Sequence, residues 1–250
     1  MAGGSIRSVE RAFRIVEAVS EAGGLRSSVV ADRLDLPGST VHDYLQALSK
    51  TGYVVKTGDT YEISTRFLEI GQRRRHRMDV VQAASDELET VASETDEHVT
   101  LMVEEDGQGV LMDVQEGANA VSLFAYPGAR MPLHATAPGK AILASLPPER
   151  VDEIVDRHGL VAVTNDTITD RSVLREQLER IREQGYAIDD GERIAGMVCV
   201  AAPVLDKDER VQASICVCGP RSRLDEARQE AIADVVRRSA NVVQVNLDYT

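Results

Sequence analysis

Two helical runs of apolar residues, separated by a corner that no helix can cross, constrain this chain most. Val29, Val30 and Leu34, then Val41, Leu45 and Leu48, recur at helical spacing on either side of Leu36-Pro37-Gly38-Ser39. Pro37 cannot continue the first helix, Gly38 tolerates a sharp turn, and Ser39 is expected to cap the second helix. The outward face of that second helix carries Ser39, Thr40, His42, Asp43, Gln46 and Lys50. A plain solvated helix favours Glu and Lys, whereas this row of hydrogen-bonding groups suits base edges in a DNA major groove. An ordinary helical hairpin is the competing interpretation.

The flanking segments favour the DNA-reading interpretation. Residues 8–22 place Val9, Ala12, Phe13, Val16 and Val19 on one stripe, a helix able to pack behind the pair. Downstream, YVVKTGDTYEIS alternates about a turn at Thr57 to Asp59 and reads as a two-stranded hairpin. Three helices and a hairpin make a winged helix-turn-helix, with Lys56 on the wing and Arg26 at the start of the pair as phosphate contacts. Residues 65–77 read as a connecting helix ending in Arg73, Arg74, Arg75 and Arg77, and residues 79–95 as a further amphipathic helix.

Charge supports the same division. The net charge of −13 over 250 residues looks wrong for a DNA binder. Yet residues 1–80 hold 12 Lys plus Arg against 10 Asp plus Glu, so the acid lies in the remainder. Only Lys50, Lys56, Lys140 and Lys207 are lysines. Abundant acid with scarce lysine resembles cytoplasmic proteins of salt-loving microbes, halophilic archaea among them. In strong salt, counterion release yields little affinity, and specific hydrogen bonds and shape must supply more.

From residue 98 the period changes to two. HVTLMVEE, a Gln-Gly turn, GVLMDVQE and AVSLFAY read as antiparallel strands. A helix opened by Pro138-Gly139-Lys140, helices near 149–158 and 170–184, strands at YAIDD, GMVCVAAPVLD and VQASICVCGP, and a helix at 222–245 complete an α+β arrangement around one mostly antiparallel sheet. The N-terminal MAGGSIRSVERAF lacks a signal-peptide core, and no apolar run approaches the roughly 18 residues of a membrane helix. A cytoplasmic protein without membrane contact is expected.

The winged helix, the linker helix, HATAPGKAILA, GYAIDDGERIAGMVCVAAPVLD and SICVCGP, in that order, resemble the IclR family of transcription regulators over nearly the whole chain. The resemblance implies a winged-helix DNA-binding domain at residues 1–65, a linker helix at 66–78 and a GAF-like effector domain at 79–250. It further implies a homodimer or homotetramer on a palindromic operator, a small-molecule effector that alters operator binding, and no cofactor. Residue by residue, it assigns the effector cavity to Ala137, Pro138, Asp189, Met197, Cys199, Cys216 and Cys218, the last two replacing serines of relatives that bind small carboxylates.

Strand alternation agrees, since Ser214, Cys216 and Cys218 share one face and Ile215 and Val217 the other. The unpaired N–H groups at the start of the Pro138 helix are expected to seat a carboxylate. Asp189 would repel a carboxylate but accept hydrogen bonds from ligand hydroxyls. The expected ligand is a sugar or sugar acid. The alternative is a thiol or metal sensor built on Cys199, Cys216 and Cys218, with His134 as a fourth ligand. Cys216 and Cys218, two apart on one strand, lie too far apart for a disulfide. His134, Asp189 and Cys199 are also the residue types of a nucleophilic enzyme. No GxSxG elbow, P-loop or metal-ligand helix accompanies them, so no catalytic or metal site is expected.

Overall fold

The computed structural model describes residues 6–121, 123 and 125–248, which form two compact units divided between Arg74 and Arg75. Met1 to Ser5, the head of the segment read as lacking a signal peptide, lie outside the described residues. Among the described residues no helix is long and apolar enough to cross a membrane.

The first unit contains α1 (Arg7–Glu21), α2 (Ser27–Leu34), α3 (Gly38–Lys50) and the hairpin β1 (Val54–Thr57) and β2 (Thr60–Ile63), followed by α4 (Arg66–Arg75). Its core joins Ile15 and Val19 to Val30, Val41, Leu45, Val54 and Tyr61, so α1, α2, α3 and both hairpin strands contribute to one small apolar centre, while α4 buries no residue. Two expectations require correction. Ser39 does not cap α3: the helix already starts at Gly38, and the capping position falls on Pro37, which has no side-chain acceptor. The buried stripe of α1 runs through Ile15, Ala18 and Val19, while Val9 and Phe13 stand 50% and 56% exposed. The amphipathic stripe was right in period but rotated, because α1 carries apolar residues on two faces and only one packs on α2 and α3.

The second unit holds α5 (Asp79–Thr95), β3 (His98–Glu105), β4 (Gln108–Glu116), β5 (Arg130–Pro132), α6 (Ala137–Ser145), α7 (Pro148–His158), α8 (Arg171–Gln184), β6 (Ala187–Asp190), β7 (Met197–Leu205), β8 (Val211–Pro220) and α9 (Glu226–Asp248). Its six-stranded sheet has the order β5-β4-β3-β8-β7-β6 with every pair antiparallel. One face packs Val99, Leu101, Val200, Ile215 and Val217 against α5 and α9. The other packs Met102, Leu111, Ala201 and Cys216 against α6, α7 and α8. The alternation along SICVC therefore divides between the two layers as its pattern implied.

Three details of this unit differ from the expectation. The β3–β4 turn is Asp106-Gly107, both with positive φ (57° and 82°), rather than Gln-Gly. That is the two-residue turn whose backbone twist matches its strands, and Asp-Gly is its favoured sequence. Residues 120–126 do not form a strand where described, while Ser122 and Phe124 lie outside the described residues; β4 pairs instead with the short β5. The last helix starts at Glu226, after a turn at Arg221 to Arg223, later than its apolar pattern suggested.

Candidate functional site

On the first unit, α3 and the hairpin build a shallow concavity lined by His42, Asp43, Gln46, Ser49, Lys50, Lys56 and Tyr61. The side chains at 42, 43, 46 and 50 share it because residues three and four apart lie on one helix face. Gln46 Nε2 lies 3.0 Å from His42 Nε2, so these two groups are already ordered relative to each other. Lys56 Nζ stands 5.6 Å from the centre of the Tyr61 ring, which holds its charge at the hairpin. Ser39 and Arg26 are exposed and Thr40 half-buried, at the starts of α3 and α2, outside this concavity. Arg73 pairs with Glu69, and Arg75, in the second unit, pairs with Asp113 and donates to the Met112 carbonyl at 2.5 Å.

On the second unit, a cavity of about 80 Å³ opens between the sheet and the first turn of α6. Pro138, Asp189, Cys199, Cys216 and Cys218 line it, as does a set the sequence reading missed: His98, Thr100, Met102, Thr136 and Arg193 among them. Ala137 is fully buried, and neither it nor Met197, at the head of β7, is on the cavity wall. Register explains the gathering. His98 pairs with Cys218, Cys218 with Cys199, and Cys199 with Asp189, one continuous row across four strands.

The helix start is less open to a carboxylate than expected. Thr136 Oγ1 accepts from Gly139 N at 3.1 Å, the Lys140 N–H bonds the Thr136 carbonyl at 2.9 Å, and Pro138 has no N–H, which leaves only Ala137. Unsatisfied donors lie elsewhere. Among the described residues, neither ring nitrogen of His98, a residue 1% exposed, has a hydrogen-bond partner, and neither does the buried Nε of Arg193. Burial lowers the His98 pKa, against the opposing charge of Glu116, which favours the neutral ring, with one nitrogen available to donate and the other to accept.

Beside the cavity, Lys140 is completely buried. Its Nζ pairs with Glu192 and donates to the Ile188 carbonyl at 2.7 Å. The Glu192 N–H donates to Asp189 Oδ1 at 2.7 Å. Burial raises the Asp189 pKa to about 6, with Lys140 opposing the shift. A carboxyl with a raised folded pKa stabilises relative to the unfolded chain at low pH and loses that contribution as pH rises through the folded pKa. Asp189 is therefore expected to withdraw about 3 kcal/mol of stability between about pH 4 and pH 7. Urea unfolding of the wild type and Asp189→Asn across that range measures it; parallel profiles would show that Asp189 is not the responsible group.

The cysteines do not converge as a trio. Cys199 and Cys218 face each other with Cα atoms 4.1 Å apart and their sulfurs joined, while Cys216 is free and buried. Burial, with the charge of Asp189, pushes the Cys216 thiol far above its usual value. His134 is not their partner: its Nε2 lies 3.1 Å from the Val161 carbonyl, and it lines a separate cavity beside α7. Among the described residues no three His, Cys, Asp or Glu side chains are placed to hold a metal. A signal for His98 was present in β3, where His98, Thr100 and Met102 alternate with the core residues Val99, Leu101 and Val103. No comparable signal marked Arg193.

Comparison with known proteins matches residues 8–58 to the IclR helix-turn-helix domain and residues 72–245 to the bacterial transcriptional regulator IclR C-terminal domain. The HTH-type transcriptional regulator BhcR of Paracoccus denitrificans is 32% identical over 239 residues, 95% of this chain and 86% of that protein. The HTH-type transcriptional repressor AllR of Salmonella typhi is 32% identical over 203 residues, 80% of this chain and 75% of that protein. The crystal structure of the Thermotoga maritima IclR superposes with a TM-score of 0.81 at 28% identity, covering 98% of this chain and all of that one.

Proposed function

The chain belongs to the IclR family of metabolite-responsive, DNA-binding transcription regulators, and we propose which of its residues read the operator and which receive the effector. The family's proteins bind DNA and are not catalysts, so His134, Asp189 and Cys199 need no catalytic role. Residues 1–65 serve as the DNA-binding domain, 66–78 as the linker and 79–250 as a GAF-like effector domain. The observation that carries the DNA assignment is the concavity shared by α3 and the hairpin. His42, Asp43, Gln46 and Lys50 enter the major groove from α3, with Ser39 and Thr40 at its N-terminal end, and Lys56 and Arg26 meet phosphates. The protein acts in the cytoplasm as a homodimer or homotetramer on a palindromic operator. The exposed Ile6, just before α1, and Val9 and Phe13 within it, an apolar stripe facing solvent in the single chain, support self-association.

The effector is a short hydroxylated acid of the sugar-acid class. A cavity of about 80 Å³ is well below the span of a drug-sized site, so a small molecule fits best. Arg193 offers its carboxylate a charged donor, and His98 and Asp189 offer hydroxyl partners. Chromatin immunoprecipitation in the native host, with and without such acids as carbon source, tests the reading. Sharp palindromic peaks that respond to one acid support it, and their absence under every condition refutes it. Gln46→Ala is expected to lower specific operator affinity by about 1–3 kcal/mol while leaving non-specific binding nearly unchanged. Titration of both DNAs by fluorescence anisotropy reads this, and equal losses would remove Gln46 from base reading.

A further inference from the structure

We propose that Cys199 and Cys218 are a reversible oxidation site in the floor of the effector cavity, taking a small peroxide as oxidant and closing to a disulfide that weakens effector binding. The site is built by register. Cys199 of β7 and Cys218 of β8 are direct cross-strand partners, with Cα atoms 4.1 Å apart and their sulfurs joined. Both line the cavity, so an oxidant as small as an effector reaches them. Cys216 lies in the next row opposite Ala201, without a thiol across from it. Its burial keeps it as the thiol, the unreactive form. The third cysteine is thus set apart from the pair both by place and by chemistry.

A regulator that works on DNA works where thiols are kept reduced, and a disulfide in that compartment is transient and sensing rather than structural. The chemistry balances. The thiolate of Cys199, the more exposed of the two, attacks one peroxide oxygen, forms a sulfenic acid and releases water or an alcohol. The Cys218 sulfur then attacks that sulfenic sulfur, the S–O bond breaks, and a second water leaves. The pair loses two electrons and two protons, and the peroxide gains them. A low-molecular-weight thiol reverses the step by exchange.

The consequence for the effector rests on the assignment of this cavity made above. His98, Cys218, Cys199 and Asp189 form one row of the floor, and oxidation removes the two S–H groups at its centre and ties β7 to β8. His98 and Asp189, at the ends of the row, are the groups given to the effector hydroxyls.

The full-length protein, reduced and freed of reductant, is treated with stoichiometric hydrogen peroxide. Thiols are then counted after denaturation, and unreduced peptides are mapped by mass spectrometry. The count is expected to fall from the three cysteines of the chain to one, with a Cys199–Cys218 peptide pair, and to return with dithiothreitol. Cys216→Ser should form the same link, whereas Cys199→Ser and Cys218→Ser should form none. Survival of all three thiols, or a link through Cys216 or between two copies, overturns the proposal. Calorimetry with D-gluconate as probe is expected to show about tenfold weaker binding to the oxidised than to the reduced protein. Equal affinities would overturn the effect of oxidation on effector binding. Failure of the reduced protein to bind gluconate goes against the sugar-acid assignment, and the thiol count and peptide map still decide the oxidation site.

Discussion

Lys140→Met is expected to destabilise the second unit by about 3–5 kcal/mol, the usual penalty for removing one partner of a buried ion pair. Methionine keeps the length of the stem but takes away the ammonium that pairs with Glu192 and donates to the Ile188 carbonyl. Glu192, 6% exposed, already has one oxygen without a partner among the described residues, so its charge would then be buried with no compensation from them at either oxygen. The pair itself need not be worth that much. Lys140→Met combined with Glu192→Leu is expected to recover most of the loss, since apolar replacement of a whole buried pair is often close to neutral. Urea unfolding of the two variants separates these statements. A single variant as stable as the double would show that Glu192 finds another partner.

Gly139→Ala is the second large effect, expected at about 3 kcal/mol or more because overpacking here meets backbone on a neighbouring turn. A Cβ at this position would sit 2.2 Å from the Leu133 carbonyl oxygen and 2.5 Å from its Cα. No side-chain rotation relieves that contact, so the 3-10 turn at Leu133–Ala135 and the first turn of α6 would have to separate. Thr136 and Pro138, which wall the cavity, lie on that junction. Effector affinity is therefore expected to fall together with stability. Gly71→Ala is the matched control: nothing lies within 4 Å of its Cβ in α4, and helix propensity alone should make it neutral or stabilising by up to about 1 kcal/mol. Thermal melts of the pair test this, and equal stability of the two variants would refute the packing argument.

What the sequence disclosed and what it withheld divide along the range of the interactions. The winged helix was legible because its signals are local: apolar spacing on α2 and α3, Pro37 between them, and alternation in the hairpin. Asp106-Gly107 was equally local and was misplaced by two residues, although Asp-Gly is a strong hairpin signal. The cavity was half legible. Resemblance of motifs carried Pro138, Asp189 and the cysteines, while His98 enters only because β3 lies beside β8 in the sheet, far away in sequence. The separation of Cys216 from Cys218 is legible along one strand, but the Cys199–Cys218 pair is not, for the same reason. Cys216 and Cys218 were weighed along one strand, whereas the facing partner was on the next strand, and strand register is not written in composition. Lys140 was placed on the right helix, but its complete burial depends on Glu192, 52 residues later.

The isolation of Lys140 has a practical consequence for chemical labelling. With only four lysines in the chain and one sealed in the interior, amine-reactive reagents meet just Lys50, Lys56 and Lys207 as exposed side chains. Two of these three flank the concavity of α3 and the wing, and the third sits on the turn between β7 and β8. Acetylation footprinting thus becomes nearly site-specific without any engineering. Protection of Lys50 and Lys56 on adding DNA, with Lys207 as internal reference, would map the docked face from three peptides.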